Sequence, residues 1–140
     1  PYHERDMQRS ARQQKVPMIL PEGFPMATIA AGRAFYWMDA LDPRRARDLA
    51  KALYRAAFAQ GRNITTAEVV AEIGREIGVD PAELQAGIAA PAVKERLKAA
   101  TDDAVTRGIF GSPFIIADGE PFWGNDRLDD VREWLTTGGW

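Results

Sequence analysis

Two short strings near the end of the chain, Gly111-Ser112-Pro113 and Gly124-Asn125-Asp126, carry residue types that can hold a small charged ligand. The first sets a Ser-Pro peptide directly before an apolar run, FIIA. Pro113 there can begin an edge strand, where its missing N–H does no harm, or take the cis form that about 5–6% of X-Pro bonds adopt. The second string opens a segment with helical apolar spacing. The free N–H groups and positive dipole end of a helix N-terminus suit a carboxylate, and an Asp beside them suits an ammonium, so this turn can hold both ends of an α-amino acid. Asn125 or Asp126 can equally serve as an ordinary N-cap, and the two roles can coexist.

Other candidates are weaker. With no cysteine in the chain, its own side chains form no disulfide, thiolate metal site or redox thiol. His3, the only histidine, lies in a polar run and reads as a solvated surface residue. The carboxylates make no convincing metal-ligand set at helical spacing, so no metal is expected. Arg127 reads as a surface ion pair with Asp130 or Glu133, and Arg44, Arg45 and Arg47 as the solvated face of a helix. Phe24, Phe35, Trp37, Trp123 and Trp134 can line an aromatic pocket or simply fill the core. A formal charge of -2 provides no basic field for nucleic acid or an anionic membrane. No apolar run approaches the roughly 20 residues of a membrane span, and no signal pattern precedes it, which predicts a soluble, cytoplasmic protein. The start at Pro1-Tyr2, without an initiator methionine, suggests a processed or truncated product.

The elements that must position these strings are mostly helices. At 140 residues and 46% hydrophobic content the chain can build a real core. A weakly anchored helix is expected over His3–Lys15, then a proline-rich extended connector, VPMILPEGFP, laid over an apolar surface. Small residues at Ala27, Ala30, Ala31 and Ala34 mark a closely packed helix to Leu41. Asp42-Pro43 supplies an N-cap and a proline at the first helical position, and apolar residues at i, i+3, i+4, i+7 continue to Gly61. Thr65 with Glu68 forms a capping box for the next helix, which Gly78 stops; Asp80-Pro81 and Ala90-Pro91 open two more, the last ending at Gly108. Two strand candidates then follow the helices. Phe114–Ala117 and Glu120–Trp123 flank Asp118-Gly119, the dipeptide suited to a type I′ hairpin turn, before a final helix carrying Leu128, Val131 and Leu135. A lone hairpin is marginal in water, and FIIA and EPFW are too apolar to stand uncovered, so further strands are expected upstream of Pro1.

The words YHERDM, FAQGRNIT, GIFGSP and FWGNDRL, in this order and with a DG hairpin between the last two, resemble kappa-class glutathione transferases and the related 2-hydroxychromene-2-carboxylate isomerases. The resemblance covers nearly the whole chain. It implies an α/β, DsbA-like thioredoxin fold that is split: strand, helix, strand, then a large helical insertion, then strand, strand, helix. Residues 1–108 would be the insertion and 109–140 the returning part, with the opening unit absent. That unit holds the serine that keeps the glutathione sulfur ionised. Neither Ser10 nor Ser112 stands in its place.

For this chain the resemblance implies a glutathione site at Ser112, Pro113, Asn125 and Asp126. Pro113 would be cis, turning the main chain of Ser112 toward the cysteinyl unit of glutathione; Asn125 would receive the γ-glutamyl carboxylate and Asp126 pair with its ammonium. The complete protein would be a homodimer acting with glutathione on a small aromatic substrate. Two alternatives stand beside it. One is a thiol-disulfide oxidoreductase of the same fold with its CxxC in the absent part. The other is a non-enzymatic helical binding module that keeps the hairpin to pair with another chain.

Overall fold

The computed structural model describes residues Tyr2–Trp140. The order is α1 (Tyr2–Gln14), α2 (Ile29–Leu41), α3 (Pro43–Gln60), α4 (Ala67–Glu76), α5 (Pro81–Ala89), α6 (Pro91–Thr106), β1 (Phe114–Ala117), β2 (Glu120–Trp123), a 3-10 turn (Asn125–Arg127) and α7 (Leu128–Thr137). The chain divides into two compact units, Pro1–Leu97 and Lys98–Trp140.

The core of the first unit is helical. Met38, Leu49, Val70, Ile73 and Leu84 are its largest fully buried side chains, contributed by α2, α3, α4 and α5. Ala30, Ala31 and Ala34 line the buried face of α2, where small side chains permit close approach. Gly87 lets α5 approach as well, since a Cβ there would run into the indole of Trp37. The expected connector is confirmed: Lys15 to Thr28 holds neither helix nor strand. Its Ile19 N–H donates to the Phe58 carbonyl at 2.7 Å, and Phe24 meets the Phe58 ring edge-on at 6.1 Å.

The caps show why the helices begin where they do. One Asp42 carboxylate oxygen accepts from the Arg44 and Arg45 N–H groups at 2.8 and 3.2 Å, and Gly61 closes α3 with φ 69°. Asp80 accepts from the Glu83 N–H at 2.9 Å, with Pro81 next in line. The capping box expected at Thr65 is displaced by one residue. Both the N–H and the hydroxyl of Thr65 donate to the side-chain oxygen of Asn63, so Thr66 becomes the N-cap and its Oγ1 accepts from the Val69 N–H. A side-chain turn from Asn63 has outcompeted the helix for Thr65. Among the three arginines expected on a solvated face, Arg45 also donates to the Gly78 carbonyl at 3.0 Å, across a gap of 33 residues. Asp42→Ala removes an acceptor shared by two otherwise orphaned N–H groups, and should lower stability by about 1 kcal/mol in a urea titration, with Asp42→Asn close to parent. An unchanged midpoint for the alanine variant would contradict this account of the cap.

In the second unit β1 and β2 pair antiparallel, with Phe114 opposite Trp123 and Ala117 opposite Glu120. Asp118 and Gly119 take φ of 51° and 90°, the positive values that a type I′ turn requires at both central positions. Alternation along the strands sends Ala117 and Phe122 to one face, where they form a small core with Val131 of α7, Ile115 and Trp134.

Candidate functional site

The site is built on the open end of this hairpin. Beyond the Phe114–Trp123 pair the ladder continues by one bond: the Gly124 N–H donates to the Pro113 carbonyl at 3.0 Å. The two strings singled out by residue type are thereby tied together. The Ser112–Pro113 peptide bond is cis, as the resemblance implies. Ser112 is exposed, and neither its N–H nor its carbonyl has a hydrogen-bond partner among the described residues.

On the other side of that bond, Gly124 has φ 115° and an added Cβ would meet Oδ1 of Asp126, so the carboxylate lies over the Gly124 α-carbon. The last helix does not open directly as an α-helix. Its first turn, Asn125–Arg127, is 3-10, and α7 proper starts at Leu128. Among the described residues, no side chain caps the N–H groups at this end. Asn125 and Asp126 thus stand at the helix entrance without the capping bonds open to such residues. Asp126 lies 3.4 Å from Arg127, whose other terminal nitrogen donates to Asp130 at 3.0 Å. The hydrogen bond that Arg127 donates to Asp130, followed by the charges of Asp126 and Asp130, raises the Arg127 pKa. Arg127 therefore makes one of the two ion pairs expected of it, that with Asp130.

The aromatic residues separate. Phe35 and Trp37 pack against the helical core, and Trp134 packs against the hairpin core. Trp123 instead remains 56% exposed and helps line an open cavity of about 220 Å³ with Arg107, Gly108, Phe110, Phe114 and Pro121. The Phe110 ring meets Trp123 edge-on at 5.0 Å and Phe114 at 5.3 Å. Phe110 was not among the residues expected at the site. It belongs to no periodic element, and its one visible signal is an aromatic residue four positions before Phe114, across the GSP string.

The chain is 28% identical over 93% of its length to a 2-hydroxychromene-2-carboxylate isomerase of Sphingobium xenophagum. It is 30% identical over 96% of its length to glutathione S-transferase kappa 2 of Caenorhabditis elegans. It spans 65% of the length of each of these relatives. A solved 2-hydroxychromene-2-carboxylate isomerase superposes with a TM-score of 0.83 at 23% identity, covering 97% of this chain and 65% of that one. The family model for the DSBA-like thioredoxin domain matches residues 1–136, and with the match running through both compact units the chain belongs to the DSBA-like thioredoxin domain family.

Proposed function

We propose that this chain holds glutathione in a glutathione-dependent isomerase acting on 2-hydroxychromene-2-carboxylate-like intermediates of aromatic breakdown, or in a transferase of kappa-class type, within a cytoplasmic homodimer. The observation that carries the reading is the position of Gly124, which joins the unpaired main chain of Ser112 to an uncapped helix entrance. Similarity to enzymes bearing those names supports it.

In this reading the N–H and carbonyl of Ser112 pair with the cysteinyl unit as an added strand would. The N–H groups at Asn125 and Asp126, assisted by the Asn125 side chain, take the γ-glutamyl carboxylate at the positive end of the helix. Asp126 takes the ammonium. These groups match the α-carboxylate and α-ammonium of the γ-glutamyl residue in sign, and none of them is committed to a helix cap. When bound, glutathione supplies a thiolate whose reversible addition to an unsaturated substrate frees a bond to rotate. The contribution of these residues is to fix the tripeptide so that its sulfur is presented in one orientation. The serine that keeps the sulfur ionised is assigned to a part of the protein beyond these 140 residues.

A thiol-disulfide oxidoreductase is the second reading, favoured by the DSBA-like family match. It would place a CxxC outside this cysteine-free chain, and it leaves the Asn125-Asp126 entrance without a task. Calorimetric titration of the full-length protein with glutathione, followed by an isomerisation assay with and without it, separates the two. Saturable binding and glutathione-dependent turnover are expected. No binding, together with dithiol-dependent reduction of a protein disulfide, would replace the proposal with the second reading.

A further inference from the structure

Trp123 is positioned to do more than end a strand. A Cβ added to Gly111 would overlap the indole Nε1 of Trp123 and lie 3.0 Å from its Cδ1 and Cε2. The indole therefore rests directly on the Gly111 backbone. Phe110 braces it edge-on at 5.0 Å. The next residue, Gly124, grips Pro113 through the 3.0 Å main-chain bond. Two consecutive residues thus hold the two ends of Gly111-Ser112-Pro113, one by a side chain and one by the backbone. Ser112 between them, like Gly111, has no hydrogen-bond partner for its N–H or carbonyl among the described residues. Gly111 is not among the glycines with positive φ, so its lack of a side chain answers to the indole rather than to a left-handed backbone.

We propose that Trp123 is a positioning residue: by seating its indole on Gly111 it fixes the angle at which Ser112 offers its N–H and carbonyl to glutathione. The inference rests on the glutathione reading above. Hydrogen bonds weaken steeply once their angles depart from linearity, so a loosened Gly111 costs binding without removing any group that touches the ligand. The indole's task is shape, and a smaller aromatic ring can perform much of it.

The test is a double-mutant cycle in the full-length protein, read by calorimetric titration with glutathione and, in ligand-free protein, by hydrogen exchange at the Gly124 amide. Trp123→Ala should weaken glutathione binding about tenfold, the equivalent of misaligning one or two neutral hydrogen bonds, and speed exchange at Gly124. Trp123→Phe should restore most of the affinity. Gly111→Ala should weaken binding similarly in the parent but add no further loss in the Trp123→Ala background, because the Cβ then has room. Trp140→Ala, at an exposed C-terminal ring, should bind as the parent does. Parent-like affinity and exchange in Trp123→Ala, or strictly additive losses in the double variant, would overturn the positioning role while leaving the glutathione reading intact. Should Trp123→Ala not fold, Gly111→Ala against Trp123→Phe/Gly111→Ala decides on the same grounds, the smaller ring relieving part of the loss. A parent protein that binds no glutathione would overturn the functional reading and this inference with it.

Discussion

Asp126→Asn should weaken glutathione binding by about tenfold to a hundredfold, because a charge-assisted hydrogen bond to the γ-glutamyl ammonium contributes about 1.5–3 kcal/mol once the ligand excludes water. Folding should be almost untouched. The carboxylate caps no helix N–H, its side chain is 69% exposed, and Arg127 retains Asp130 at 3.0 Å when Asp126 loses its charge. Exposed ion pairs of this kind contribute little to stability. Calorimetry and a thermal melt on the same preparation read both halves of the expectation. Raising the salt should narrow the gap between parent and variant, since the lost interaction is between charges near the surface. Parent-like affinity in a folded Asp126→Asn variant would return Asp126 to the role of partner for Arg127 alone. Asn125→Ala should do less harm, as the uncapped N–H groups can still receive the carboxylate.

The largest loss of stability is expected at Leu84, which is fully buried. Its Cδ2 fills the space that a Cβ on Gly74 of α4 would need, so truncation opens a void between α4 and α5. Leu84→Ala should cost about 2–5 kcal/mol, against less than about 0.5 kcal/mol for Leu41→Ala, where the side chain is 66% exposed. Urea titrations of the three proteins provide the comparison. Similar midpoints for Leu84→Ala and Leu41→Ala would mean that the α4–α5 contact adds little to the helical unit.

Legibility in the sequence followed the range of the forces involved. Both strands were readable to the residue because the Asp118-Gly119 turn fixes where one apolar run ends and the next begins, and Asp42-Pro43 and Asp80-Pro81 announced their helices because a cap acts within three residues. Thr65 misled because two consecutive threonines offer overlapping capping frames, and the choice depended on Asn63, which has no role in the motif. The 3-10 turn at Asn125–Arg127 was hidden in a backbone angle at Gly124. The tie between Pro113 and Gly124 follows from the hairpin register, whereas the contact of Trp123 with Gly111 depends on how closely a ring approaches a backbone, which no spacing rule expresses. The proposed glutathione site rests on resemblance and on the groups left unpaired, and it is there that the titrations bear.

The hairpin turn makes this site a matter of counting. With only Asp118 and Gly119 between the strands, Phe114 falls opposite Trp123 and Pro113 comes beside Gly124. One residue inserted in that turn would preserve both strings proposed to hold glutathione letter for letter. Yet a slip of one place in the pairing would turn the Trp123 indole to the α7 side and bring Phe122 out in its stead. The hairpin works as a gauge block: substitutions within 118–119 are tolerable wherever positive φ is, but a change of length is not. Insertions and deletions at this tip, far from any atom that would touch glutathione, are therefore expected to abolish binding more thoroughly than most substitutions inside the site.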